Sequence, residues 1–171
     1  MKMKLTRFVF PFVGLLISFG TQADILLSLS AKLVRPPCVL TAENGEKELF
    51  INFREVTLDR LTEEKQSFGI LIKQCELRKN LQVYLSPKEG NTLTVNNETV
   101  LATSINGLGI RFSEENKSTA LNLNKWERIA PTISGNTGKI VIQSQLVTNQ
   151  ALENLNAGPF SAALSVMVDY L

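Results

Sequence analysis

A chain of 171 residues with a formal net charge of +2 and 20% charged side chains contains two cysteines, one tryptophan and no histidine. Without an imidazole, a Ser-His-Asp or Cys-His arrangement and a histidine metal site are excluded. With no basic cluster in its later part, neither nucleic acid nor an anionic membrane surface is an expected partner.

The first segment is not part of the fold. Residues 1–7 are basic, residues 8–20 are mostly apolar, and Thr21-Gln22-Ala23 ends on a small residue, the pattern of a secretory signal cleaved after residue 23. The apolar stretch is shorter than the roughly 18 residues a spanning helix needs, and no later segment approaches that length. The mature chain is therefore expected to be exported with no membrane insertion. Cleavage removes Lys2, Lys4 and Arg7 from the 18 basic residues and none of the 16 acids, leaving 15 against 16 and a net charge of −1. What remains suits one domain with a real core.

Residues 24–35 come next and look detached from that domain. Ile25, Leu27, Leu29, Ala31 and Leu33 are apolar, while Ser28, Ser30 and Lys32 lie between them. That is a strand with one face to bury. It is either the first strand of the domain, turned by Pro36-Pro37, or a spare strand for another molecule.

Cys38 and Cys75 form an even count in an exported chain and are expected to pair as a disulfide. With no CxxC and no histidine, two thiolates are a poor metal site. Strand-like alternation then dominates: Leu49, Ile51 and Phe53; Phe68, Ile70 and Ile72; Leu81, Val83 and Leu85; Leu108, Ile110 and Phe112; Ile140 and Ile142. Turn residues separate these runs at Asn44-Gly45, Pro87 with Gly90-Asn91, Asn96-Asn97, Asn106-Gly107 and Gly135 to Gly138. One short helix is predicted near residues 58–65. Short strands with regular turns and one disulfide indicate an all-β, antiparallel sandwich of immunoglobulin-like type in the domain of residues 36–171.

The last run starts at Gly158, where Pro159 is tolerated only as the first residue of a strand. Phe160, Ala162, Leu164, Val166, Val168 and Tyr170 then share one face, and the run stops at Leu171. A long apolar strand with nothing after it to cover its far edge is an aggregation liability unless another chain pairs with it.

No enzyme chemistry is expected. Gly107-Leu-Gly109 reads as a turn entering a strand, not a phosphate cradle. Glu63-Glu64 and Glu114-Glu115 sit in hydrophilic stretches and read as solvated surface, not an acid–base pair. Trp126, beside Lys125 and Arg128, reads as a partly buried core residue in preference to a sugar-stacking platform. No cofactor is implied.

Taken in order, the alternating arm running from Ala23-Asp24 to Pro36-Pro37-Cys38, the second cysteine at 75, and a terminal run with glycine fourteenth from the end and tyrosine next to last resemble a pilin subunit of the chaperone–usher family. The likeness covers essentially the whole mature chain. Val100-Leu-Ala-Thr-Ser-Ile-Asn-Gly-Leu-Gly-Ile-Arg-Phe112 also resembles the middle of the minor subunits at the tips of P-type pili. The resemblance implies an incomplete immunoglobulin-like sandwich lacking its seventh strand, with an N-terminal donor-strand extension. It implies a periplasmic pilus chaperone, an outer-membrane usher and neighbouring pilin subunits as partners, and a fimbrium on the bacterial surface as destination. Ile25, Leu27, Leu29, Ala31 and Leu33 would be the donor side chains. The terminal strand, from Gly158 to Leu171, would be the edge gripped by the chaperone and later by a neighbour's arm, a case of β-strand addition. The family usually has glycine where Ala31 stands, and a methyl group crowds that part of the receiving groove.

The role implied is a minor subunit, a tip adaptor. A rod subunit or a chain terminator of the same system, and from another class an exported carbohydrate-binding sandwich, are the alternatives. The length is expected to leave no space for a separate adhesin domain.

Overall fold

The computed structural model describes residues 38–115 and 117–171; the signal segment and the arm of residues 24–35 lie outside the described residues. The described chain folds as two antiparallel sheets face to face. Its strands are β1 (Val39–Ala42), β2 (Lys65–Lys73), β3 (Leu81–Pro87), β4 (Thr92–Val95), β5 (Glu98–Ala102), β6 (Leu108–Glu114), β7 (Trp126–Ile129), β8 (Thr132–Ser134), β9 (Thr137–Thr148) and β10 (Leu164–Tyr170). The larger sheet runs β1-β2-β9-β6-β5-β4 with β8 on β9, and the smaller runs β10-β3-β7. The predicted all-β sandwich of immunoglobulin-like type is what forms.

Local chemistry explains the connections. Asn96 and Asn97 both adopt positive φ, +49° and +67°, between Val95 and Glu98, which face each other in the β4–β5 register. A two-residue hairpin loop with both central residues left-handed matches the strand twist, and asparagine tolerates that region. The helix expected near residues 58–65 is a 3₁₀ segment, Leu58–Glu63, ending where β2 begins.

Strand periodicity builds the core. From β3, Leu81, Val83 and Leu85 are at most 1% exposed, and from the facing sheet come Ile70, Ile72, Ile110, Phe112, Ile140, Ile142 and Leu146. Ser144, also buried on β9, donates its Oγ–H to the Gln66 carbonyl at 2.9 Å, so its burial leaves no orphan hydroxyl. Cys38 and Cys75 are disulfide-bonded, closing the chain from the head of β1 to just beyond β2.

One predicted strand does not form. Residues 49–53 alternate in sequence, yet they take no strand conformation and pair with none among the described residues. Only Phe53 is buried there; Leu49 and Ile51 are exposed and Phe50 is 88% exposed. Alternation identifies a face to bury, but a strand also needs a neighbour to bond its backbone.

Candidate functional site

The site is the outer edge of β10, the last strand of the smaller sheet. Its register against β3 runs from Leu164 opposite Pro87 to Tyr170 opposite Leu81. The ladder extends one residue past each end, as Lys88 N–H bonds Ala163 O and Leu171 N–H bonds Asn80 O, both at the same register. In an antiparallel pair the bonded and non-bonded positions alternate. Ala163, Ser165, Met167, Asp169 and Leu171 are thus the positions bonded to β3. The N–H and C=O groups of Leu164, Val166 and Val168 point the other way, toward an edge that pairs with no strand among the described residues.

The side chains follow the same alternation. Leu164, Val166, Val168 and Tyr170 pack against the core without being fully buried, whereas Met167 and Asp169 are exposed. This edge therefore joins backbone groups turned outward to an apolar row that the domain covers only in part. A row of this kind recruits a strand through main-chain bonds and selects it through its side chains.

The strand's end is fixed by its neighbours. Tyr170 Oη accepts a hydrogen bond from Glu76 N–H at 2.8 Å, and its carbonyl accepts one from Gln82 Nε2 at 3.1 Å. Its own N–H donates to Asp169 Oδ1. Leu171 is exposed beyond them.

The strand starts later than its sequence suggests. Expected from Gly158, it begins at Leu164, opposite Pro87 at the end of β3. The residues ahead of it turn instead to the β5–β6 connection: Ser104 N–H bonds Ser161 O, and Ser161 N–H bonds Ser104 Oγ. Gly158 is exposed, and Ala162 lines a cleft of about 180 Å³ with Pro87, Leu101, Thr103, Ser104 and Ser161. The Phe160 ring lies against Phe53, with centroids 6.1 Å apart. That contact brings the unpaired apolar segment of residues 49–53 to the run that leads into the open edge.

The remaining candidates fall as follows. Glu114, mostly covered, pairs with the exposed Lys117 at 2.8 Å, Glu63 and Glu115 are exposed, and Gly107 and Gly109 enter β6 with Gln150 and Val100 packed over them. Among the described residues no group of three or more cysteine, aspartate or glutamate side chains is placed to hold a metal, and no helix is long and apolar enough to cross a membrane. Trp126 corrects the expectation made for it. It is 43% exposed, on the outer face of the smaller sheet, where its ring lies 5.1 Å from that of Tyr84. Period-two placement on β7 sends Ile129 inward but Trp126 and Arg128 outward, and no sequence signal distinguished the two faces of so short a strand.

Comparison with known proteins gives a consistent answer. Residues 27–171 match the family model described as Fimbrial protein. The chain is 31% identical over 137 residues to the fimbrial-like protein YfcR of Escherichia coli, spanning 79% of this chain and 74% of that one. Among solved structures, the P pilus rod subunit PapA superposes with a TM-score of 0.60 at 14% identity, over 80% of this chain and all of PapA. The P pilus adaptor subunit PapF does so with 0.56 at 22% identity, over 81% of this chain and 98% of PapF.

Proposed function

The chain belongs to the fimbrial protein family, and from that premise we propose that it is a tip-adaptor subunit of a chaperone–usher pilus, polymerising by donor-strand exchange. The observation that carries the proposal is the edge of β10 that no described strand pairs, where Leu164, Val166 and Val168 turn their backbone groups away from β3 above a half-covered apolar row. A periplasmic chaperone would fill that edge first, and the arm of the following subunit would replace it at the outer-membrane usher. This chain's own arm, with Ile25, Leu27, Leu29, Ala31 and Leu33, would serve the subunit ahead.

Magnitudes support an exchange of this kind. Burying an aliphatic side chain gains roughly 1.5–3 kcal/mol, so the four large residues of the arm supply on the order of 6–12 kcal/mol before the cost of ordering it. Each ladder bond adds about 1 kcal/mol. An edge that no described strand covers also speaks against a chain terminator. The fold shared with PapA and PapF does not separate rod from adaptor; the likeness of residues 100–112 to minor tip subunits favours the adaptor.

The test is expression of the full chain in a periplasm with and without a pilus chaperone, followed by gel filtration. The expected result is a soluble one-to-one complex with chaperone and proteolysis without it. A stable monomer in the chaperone's absence rejects the proposal.

A further inference from the structure

The outer face of the smaller sheet carries an ordered set of side chains that strand pairing does not use. The registers of β10, β3 and β7 place Met167, Tyr84 and Trp126 directly opposite one another in one row. The next row on the same face is Asp169, Gln82 and Arg128. Trp126, Arg128, Met167 and Asp169 are all exposed.

Tyr84 braces the indole at 5.1 Å with the two ring planes tilted by 49°, a favourable aromatic geometry that fixes Trp126 instead of leaving it to rotate. Gln82 is held in place through its Nε2 by the Tyr170 carbonyl. Neighbouring strands stand about 4.8 Å apart and successive rows about 7 Å, so the two rows cover about 10 Å by 7 Å. That area accommodates one or two pyranose rings.

We infer that this face is a glycan-binding surface, with the apolar side of a pyranose stacked on Trp126 and its hydroxyls met by Arg128, Gln82 and Asp169. A sugar ring is apolar on one side and rimmed with hydroxyls, and the patch is divided the same way: an aromatic row beside a row with one guanidinium, one amide and one carboxylate. A purely apolar partner would leave the Asp169 and Arg128 charges facing an uncharged surface at a desolvation cost. An open sheet face suits an extended saccharide better than a small buried ligand. The inference does not depend on donor-strand exchange, since these side chains lie on the opposite face of β10 from Val166 and Val168.

Trp126 is the chain's one tryptophan, so its emission reports on the site. The experiment titrates the exported full chain, as purified from the periplasm, with lactose and with maltose, using glycerol as a non-stacking control and Trp126→Phe to subtract any partner's signal. The expected result is a saturable emission change with one of the sugars and not with glycerol. By sugar-detected saturation-transfer NMR, Trp126→Ala should weaken binding at least tenfold and Arg128→Ala about tenfold, with circular dichroism unchanged. Absence of a saturable change up to 100 mM sugar overturns the inference. So does unaltered sugar binding in Trp126→Ala, or an emission change that accompanies subunit pairing and not sugar.

Discussion

The phenol oxygen of Tyr170 accepts a 2.8 Å hydrogen bond from the backbone N–H of Glu76, the residue that follows Cys75. The last strand is thereby latched to the turn that carries the disulfide, 94 positions earlier in sequence. One side chain thus couples the end of β10 to the covalent frame of the domain.

Tyr170→Phe keeps the ring and removes the hydroxyl that accepts this bond. The expected loss is about 1 kcal/mol, concentrated at the end of β10. Hydrogen exchange should show the Leu171 amide, which bonds Asn80 O, opening several-fold faster while amides of β9 are unchanged. Uniform acceleration across both sheets would show that the bond supports the whole fold and not a local latch.

Replacing Cys38 and Cys75 by serine releases a loop of 37 positions. On the chain-entropy account this costs about 4 kcal/mol, a large share of a small domain's stability. The first segment to detach should be β1, which among the described strands pairs only with β2. Limited proteolysis should accordingly cut near residues 38–47 in the serine variant and spare the oxidised chain.

Gly109 leaves no space for a side chain. A Cβ there would sit 2.7 Å from Val100 Cγ2 and 3.1 Å from the Leu101 carbonyl oxygen, and the second of these is backbone that cannot swing aside. Gly109→Ala should destabilise by roughly 1–3 kcal/mol through displacement of β5 from β6. Gly90→Ala is the useful comparison, since nothing lies within 4 Å of its Cβ and only its left-handed φ of +71° resists the change. Thermal unfolding of both variants in the same soluble complex should place Gly109→Ala lower.

Much of this fold was legible because its inward faces are cleanly periodic. Ile70 and Ile72, Leu81 to Leu85, and Ile110 with Phe112 announce β2, β3 and β6, and two consecutive asparagines announce the turn between β4 and β5 but not those strands themselves. Part of β9 was hidden because Gln143, Ser144 and Gln145 interrupt its apolar pattern, and the buried Ser144 hydroxyl is satisfied by a carbonyl 78 positions away. Residues 49–53 read as a strand because periodicity records which side chains want burial and not whether a backbone partner exists. Trp126 was misplaced for a related reason: hydrophobicity argued for the core, while the register that sets it opposite Tyr84 turns it outward. The bonding direction of Leu164, Val166 and Val168, on which the candidate site rests, follows from a register no single strand's sequence contains.

The open edge and the unpaired segment make a joint prediction. If a donor strand occupies the β10 edge, the backbone of residues 49–53 gains a neighbour that no described strand supplies, and its alternating Leu49, Ile51 and Phe53 become an ordinary strand face. A subunit holding a neighbour's arm should protect the amides of residues 49–53 together with those of Leu164, Val166 and Val168 against exchange, relative to the unoccupied edge. On the donating side, Leu29→Asp would bury a carboxylate among apolar groups, at a cost that exceeds what one aliphatic residue contributes. The variant should still be captured by chaperone through β10 yet fail to pair with the subunit ahead of it. Deleting residues 169–171 has the converse effect, because it removes the Tyr170 latch and shortens the acceptor edge: capture should fail and the chain should be degraded. Co-purification of subunit pairs distinguishes the two variants, and equal pairing by the wild-type chain and Leu29→Asp would dismiss the arm as the donor.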